Sequence, residues 1–156
     1  MQRKLLTLVF LIRGEKILLG MKKRGFGAGR FNGFGGKVQP GETIEEAARR
    51  ETKEECGISI LTMERVGIHE FCFAVKPEET LEVHVFRVQE HKWEPVETEE
   101  MRPQWFAIEE IPYDDMWPDD RLWLPIFLAG KKFRSRFLFG EGDTVLEKEI
   151  RILETL

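Results

Sequence analysis

Cysteine and histidine are scarce in this chain: Cys56 and Cys72 are the two cysteines, and His69, His84 and His91 the three histidines. Neither set has metal-motif spacing. The cysteines therefore read as reduced packing residues of an intracellular protein, and the histidines are given no role. A basic excess is also missing. Twenty-four Lys and Arg face 28 Asp and Glu, for a net charge of −4 and a pI near 5.6. That excludes a general nucleic-acid coat, which must neutralise many phosphates at once, but a small anion screened by a divalent metal stays compatible. Long apolar runs are lacking too. The opening MQRKLLTLVFLIRGEK has a basic start, but no small-residue cleavage site follows, and Arg13, Glu15 and Lys16 interrupt the run. Residues 5–12 are too few to span a bilayer as a helix. They read as a buried strand, so the expected place is the cytoplasm, with no signal pointing to nucleus or mitochondria. No repeat, linker or low-complexity tract divides the 156 residues, and one domain, 1–156, is expected. Nothing in the sequence demands a partner, so a monomer is expected.

What is present is a mixture of strand and helix patterns. KLLTLVFLI, the turn RGEK and ILLGM read as a hairpin, followed by a basic, glycine-rich loop from Lys22 to Lys37. Thr43 and Glu46 form a capping box, and Gly57 sits at the C-terminal cap, so a helix is expected between them. ISIL, VGIHEFCFAV, TLEVHVFRV and PQWFAI read as strands. A second helix is expected from near Asp119, with a bend at Pro125, and a closing hairpin turns at GEGD. Such mixing points to an α/β or α+β domain with helices packed on a mixed sheet.

The glycine-rich loop fails two phosphate-binding patterns. A Walker loop would need Gly at Phe31 and Ser or Thr at Val38, and Gly27-Ala28-Gly29 is followed by Arg30, Phe31 and Asn32 rather than by a dinucleotide fingerprint. What remains is a backbone able to approach a ligand closely. The helix beyond it is odd in another way. On a helical wheel Glu51 and Glu55 fall in the middle of the apolar face set by Ala47 and Ala48. Glu54 lies on the flank, while Glu45, Arg49 and Lys53 point away. Like charges this close cost ~1 to 4 kcal/mol, and the C-terminal end of a helix disfavours them further. A hard divalent cation, Mg²⁺ or Mn²⁺, would offset both costs and bridge phosphate oxygens.

These residues resemble the Nudix box, G-x5-E-x7-R-E-U-x-E-E-x-G-U, running here through Gly36, Glu42, Arg50, Glu51, Glu54, Glu55, Gly57 and Ile58, with Thr52 in place of one bulky apolar residue. LLGMKKRGFGAGR, NGFGGKVQ, EMRPQWF and MWPDD further resemble the animal oxidised-purine nucleoside triphosphatases related to MutT. Phe31 and Leu81 stand where those commonly have Trp and Met. The resemblance implies a Nudix fold, a mixed β-sheet sandwiched between α-helices, and Mg²⁺-dependent hydrolysis of a nucleoside triphosphate to monophosphate and pyrophosphate. It implies metal ligands at the Gly35 carbonyl, Glu51, Glu54, Glu55 and Glu100. Glu55 is the expected base, with Glu51 and Glu100 as alternatives, and Arg50 pairs with Glu42. Substrate contacts fall on Thr7, Lys22, Asn32, Phe34, Gly35, Gly36, Lys37, Trp117, Pro118, Asp119 and Asp120, with Phe26, Phe71, Phe73, Leu81 and Trp123 as apolar walls. Alone, WPDD reads as a turn into a helix cap. Two aspartates amid Met116, Trp117, Leu122 and Trp123 would instead be costly if both were buried and charged, so at least one pKa is expected to be raised. They could then both donate and accept, and so read 8-oxoguanine and 2-oxoadenine alike. Two other readings stay open: a Nudix hydrolase of ADP-ribose, a dinucleoside polyphosphate or capped RNA, and a non-catalytic nucleotide-binding module.

Overall fold

The structure, a computed structural model, describes residues 2–89 and 94–156; His91 lies outside the described residues. The opening hairpin forms from β1 (Gln2–Arg13) and β2 (Lys16–Lys22), turning at Gly14 with φ 58°. Its strands pair only from Leu11 to Arg13 before they splay. The gap beside β1 is filled by the glycine-rich loop, through bridges Val9–Phe34 and Leu6–Lys37 and a 2.9 Å bond from the Thr7 N–H to the Gly36 carbonyl. The loop is thereby stitched to the sheet as a further extended segment, next to the short β3 (Phe31–Asn32), which pairs with the end of β2.

β4 (Glu64–Phe73) and β5 (Glu79–Gln89) form a second hairpin, and β5 runs parallel to β1 along its length. β6 (Met101–Ala107) covers the other edge of β2. β7 (Lys132–Phe139) runs parallel to β4 and carries β8 (Val145–Leu153) antiparallel at the sheet's end. Parallel and antiparallel pairs are thus combined in one mixed sheet of eight described strands, as expected. β1 is buried on both faces. Val9 and Leu11 pack under α1 (Ile44–Cys56), with Ala48 and Cys56, while Phe10 and Ile12 pack under α2 (Asp120–Leu128), with Trp123, Leu124 and Phe127. An unbroken apolar run is what two covered faces require, and the result is a helix–sheet–helix sandwich.

Helix α1 has the predicted ends. Thr43 and Glu46 exchange hydrogen bonds of 3.0 Å, and Gly57, at φ 77°, donates its N–H to the Lys53 carbonyl. Thr52, the departure from the box pattern, is fully buried, and its hydroxyl donates to the Ala48 carbonyl at 2.8 Å, so no polar group is stranded. Two expectations need correction. ISIL is not a strand: Ile58 and Ile60 fill the core beneath α1, while Arg49 takes the Ile60 and Leu61 carbonyls that a neighbouring strand would have used. Asp119 precedes α2 without capping it, because its side chain is engaged elsewhere; Pro125 lies within the helix. Both cysteines are free thiols, Cys56 buried and Cys72 half-buried, and burial pushes Cys56 up to about 12. Among the described residues no helix is long and apolar enough to cross a membrane.

Replacing Thr43 with Ala removes half of the capping box, and is expected to lower stability by ~1 kcal/mol in a denaturant titration without moving the sheet.

Candidate active site

The acidic helix and the glycine-rich loop meet at two glycines. Glu55 is 3% exposed, and its Oε1 accepts the Gly35 N–H at 2.8 Å. A Cβ on Gly35 would lie 1.8 Å from the Thr7 carbonyl oxygen, and one on Gly36 would lie 2.7 Å from Glu51 Oε1. Side chains at either position would hold strand, loop and helix apart. Arg50 ties the same parts together. Its guanidinium bonds both oxygens of Glu42 (2.7 and 3.0 Å), the Lys37 carbonyl (3.1 Å), Glu51 (2.9 Å) and Glu54 (3.4 Å). The expected Arg50–Glu42 pair is therefore present, and it holds the Glu42 carboxyl down near about 2.

Burial pushes Glu55 up to about 8, with the charges of Glu51 and Glu100 adding to it. Glu51 is raised by burial as well, and by Glu54 and Glu100. Four carboxylates therefore share one field. Glu100 enters it because the acidic connection docks on the last turn of α1, where Thr98 Oγ1 donates to the Glu55 carbonyl at 2.9 Å. Glu54 and Glu100 stand on the exposed rim, Glu100 with Arg24 at 3.6 Å. Among the described residues no three acidic, His or Cys side chains converge into a closed cage. The chemistry of the set nonetheless fits a divalent cation: hard oxygen donors, of which the buried Glu55 and half-buried Glu51 are raised in pKa, which a cation would reverse.

Beside this cluster lies a cavity of ≈ 180 Å³. Glu55, Thr7, Lys22, Asn32, Gly35 and Gly36 border it, as do the apolar side chains of Phe26, Phe71, Phe73 and Leu81, and so do Trp117, Asp119, Asp120 and Trp123. Both aspartates are 3% exposed. Asp119 Oδ2 accepts the Trp123 indole N–H at 2.7 Å, whereas Asp120 Oδ2 is buried without a partner among the described residues. Burial raises both above the usual carboxylate range, and Asp119 raises Asp120 further. At least one raised carboxyl is expected from the sequence, and both are raised.

Three expected contacts do not line the cavity. Phe34 pairs with Val9 and shares its facing, so its ring is wholly buried in the α1-side core. Lys37 is exposed and contributes its carbonyl to Arg50. Pro118 is half-buried beside the lining residues and is not one of them. Sequence reasoning missed Arg30, Gly27, Gly33, Met101 and Phe139, together with Leu6, Leu8 and Val83. The last three read as ordinary strand residues, and Arg30 was one cation in a basic run; no local pattern marked any of them.

A NUDIX domain model matches residues 3–127. The chain belongs to the Nudix family. Within that family it is 50% identical over 152 residues to the oxidized purine nucleoside triphosphate hydrolase of Mus musculus, covering 97% of each chain. Identity to the protein of the same name from Danio rerio is 50% over 153 residues, covering 98% of this chain and 97% of that one. A MutT protein from Bacillus halodurans superposes with a TM-score of 0.81 over 94% of this chain and 97% of its own; at 22% identity it shows the fold alone. The Nudix box is, in physical terms, the loop and helix clamped around Arg50.

The raised carboxylates have a consequence for stability. An acid whose folded pKa exceeds its unfolded value binds more protons when folded, so stability falls as pH rises between the two values. Glu55, from 4.5 to about 8, sets that window, and Glu51, Asp119 and Asp120 act in the same sense. His69, held down to about 3 by burial, acts oppositely below its ordinary 6.5. In metal-free protein, stability should therefore decline between pH 6.5 and 8, by up to about 2 kcal/mol from Glu55. Glu55→Gln should flatten that slope in denaturation curves taken across the window.

Proposed function

We propose that this Nudix protein hydrolyses oxidised purine nucleoside triphosphates, 8-oxo-dGTP and 2-oxo-dATP, to the monophosphate and pyrophosphate, and so removes them before a polymerase can use them. The observation that carries this is one cavity bordered both by Glu55 of the acidic helix and by the buried Asp119–Asp120 pair. Phosphate chemistry and base recognition then act on a single small ligand. Likeness to the mouse and zebrafish enzymes along nearly the whole chain supports the same substrate class.

Glu51, Glu54, Glu55, Glu100 and the Gly35 carbonyl would hold Mg²⁺, with Mn²⁺ as a substitute. When bound, the cation neutralises triphosphate charge and lowers the pKa of a coordinated water. The chain's own residues do the rest. Glu55 takes the proton of the attacking water, with Glu51 and Glu100 as alternative acceptors. Attack falls on the β-phosphorus, the nucleoside monophosphate leaves, and no covalent enzyme intermediate forms. Lys22, whose charge reaches Glu55, faces the phosphates. Asn32 has its Oδ1 engaged by the Gly33 N–H at 2.8 Å, which leaves its amide NH₂ to donate to the base. Thr7 adds a hydroxyl, and Phe26, Phe71, Phe73, Leu81, Trp117 and Trp123 exclude water around the purine.

Oxidised guanine and oxidised adenine present donors and acceptors in opposite order. Two adjacent carboxyls sharing a proton can meet either order by moving the proton with both side chains in place, whereas an amide would have to turn over. We infer that residues 1–156 act as one monomeric unit. Its two free cysteines fit a reducing compartment, and we place its action in the cytoplasm, with nucleus and mitochondria as further sites.

A hydrolysis panel of 8-oxo-dGTP, 2-oxo-dATP, dGTP, ADP-ribose and a dinucleoside polyphosphate, each with and without Mg²⁺, checks the reading. Mg²⁺-dependent pyrophosphate release with kcat/KM for the oxidised purines well above dGTP is expected; preference for ADP-ribose or the dinucleotide would overturn the substrate class. Glu55→Gln should lower kcat by about 10²–10⁴-fold with little change in KM. Asp119→Asn should impair both oxidised substrates, and unchanged activity on both would remove the pair from base recognition.

A further inference from the structure

Arg30 is placed unlike the other cations of the glycine-rich loop. Its guanidinium carbon stands 4.1 Å from the centre of the Trp117 ring. Nη2 pairs with Asp143 Oδ2 at 3.1 Å, and Nη1 is buried with no acceptor among the described residues. The side chain borders the cavity together with Trp117, Asp119 and Asp120. The same loop touches Trp117 at two more points: the Phe26 ring lies 5.0 Å away, and a Cβ on Gly27 would come within 3.3 Å of the indole. Asp143, in the turn between β7 and β8, adopts φ 62° directly after Gly142 at φ 65°. Non-glycine residues enter that left-handed region at some cost and persist there when a neighbour holds them. Its ion pair with Arg30 is such a hold, and it fixes the guanidinium at the same time.

We propose that Arg30, clamped between Trp117 and Asp143, is a positioning residue of the purine pocket that keeps a carboxylate acceptor in the Asp119–Asp120 pair for the bound base. The inference rests on the substrate reading of the preceding subsection. Burial drives both carboxyls towards the neutral state, against which the Trp123 N–H, backbone N–H groups and the charge of Arg30 act. A doubly protonated pair keeps only carbonyl oxygens as acceptors and loses the stronger carboxylate acceptor for the N–H groups of an oxidised purine. Several charged or titratable groups surround the pair. Arg30 comes from the β2–β3 loop and Tyr113 from the turn before α2. Arg121 of α2 is turned to Asp114 at 2.7 Å, and His69 of β4 lies beyond the Trp123 ring at 4.3 Å. Lys22 and Glu55 occupy other walls of the cavity. Burial holds Tyr113 and His69 neutral near pH 7. After burial and the hydrogen bonds to Trp123 and the backbone, the charge of Arg30 also acts on both aspartates, and it lowers the pKa of both. A planar fork meets all three demands at once. One nitrogen holds the tether, the plane stacks on the indole, and the delocalised charge acts on the aspartates. A lysine could supply only the charge.

The test is binding of the product monophosphate 8-oxo-dGMP to metal-free protein, followed by calorimetry from pH 5 to 8. Glu55 borders the same cavity and titrates across this range, but its contribution is common to all four proteins and cancels in the comparison. Wild type, Arg30→Met, Arg30→Lys and Asp143→Asn are compared. The pH below which binding is lost should move up by about one unit in Arg30→Met and stay near wild type in Arg30→Lys. Asp143→Asn and Arg30→Lys should each weaken the plateau affinity, by about fivefold, through the loosened stack on Trp117. Superposable curves for wild type and Arg30→Met, or a lower melting temperature with no displacement of the curve, would overturn the proposal. A displacement in Arg30→Lys equal to that in Arg30→Met would also overturn it, since charge would then not be the cause. Should Arg30→Met fail to fold, Arg30→Lys and Asp143→Asn carry the test: unchanged plateau affinity in both would overturn it. A wild type that binds no 8-oxo-dGMP at any pH would instead sink the substrate reading.

Discussion

The guanidinium of Arg50 joins parts that would otherwise repel or drift apart. It fastens Glu42 and the Lys37 carbonyl, which belong to the loop, to Glu51 and Glu54, which belong to the helix. The box needs its arginine between the acids because the acids alone would push the helix away from the loop that must lie against it. Once that clamp is closed, the Gly35 N–H can meet Glu55, the cavity gains its acidic wall, and the strand segment Phe34–Val38 can complete the sheet beside β1. A fully apolar packing of α1 would hold the fold with less tension and would leave no chemistry.

The cavity has two electrostatic regimes a short distance apart. At the helix, buried carboxylates gather where a cation can relieve them. At the α2 end, Asp119 and Asp120 sit in an apolar setting, where one oxygen is held by an indole N–H and another has no partner among the described residues. Both groups are pushed towards neutrality by burial, yet they serve opposite ends. In the proposed reading a metal would return the first set to charge, and the second would keep a proton in order to use it. Separation of the two along one cavity would let a single nucleotide engage both.

Much of this was legible in the chain because the decisive signals are local. Thr43, Glu46 and Gly57 bracket α1, and the placing of Glu51 and Glu55 on its apolar face shows against the periodicity of the helix itself. The two-sided burial of β1 follows from its unbroken apolar run. What could not be read was set by long-range pairing. Phe34 lies in a loop whose facing is decided by its bridge to Val9, and Ile58–Leu61 lost its strand because Arg49, nine residues earlier, caps its carbonyls. Arg30 becomes distinctive only when α2 brings Trp117 and the β7–β8 turn brings Asp143. The Thr52 hydroxyl needs the opposite lesson: its polarity vanishes into the backbone of its own helix, so the site asks for volume rather than for hydrophobicity.

Gly35 and Gly36 are not in the left-handed region that usually explains a glycine. Space is what excludes a side chain: at Gly35 the obstacle is the Thr7 backbone carbonyl, and at Gly36 it is the carboxylate of Glu51, which Arg50 holds in place. The role of these glycines is that of a clearance in a machined joint, where the absence of an atom sets the distance between two parts. A methyl group there would act as a wedge, levering the strand from the helix while leaving each intact. The carboxylates would then be displaced together, as a block, with no acid lost from the chain.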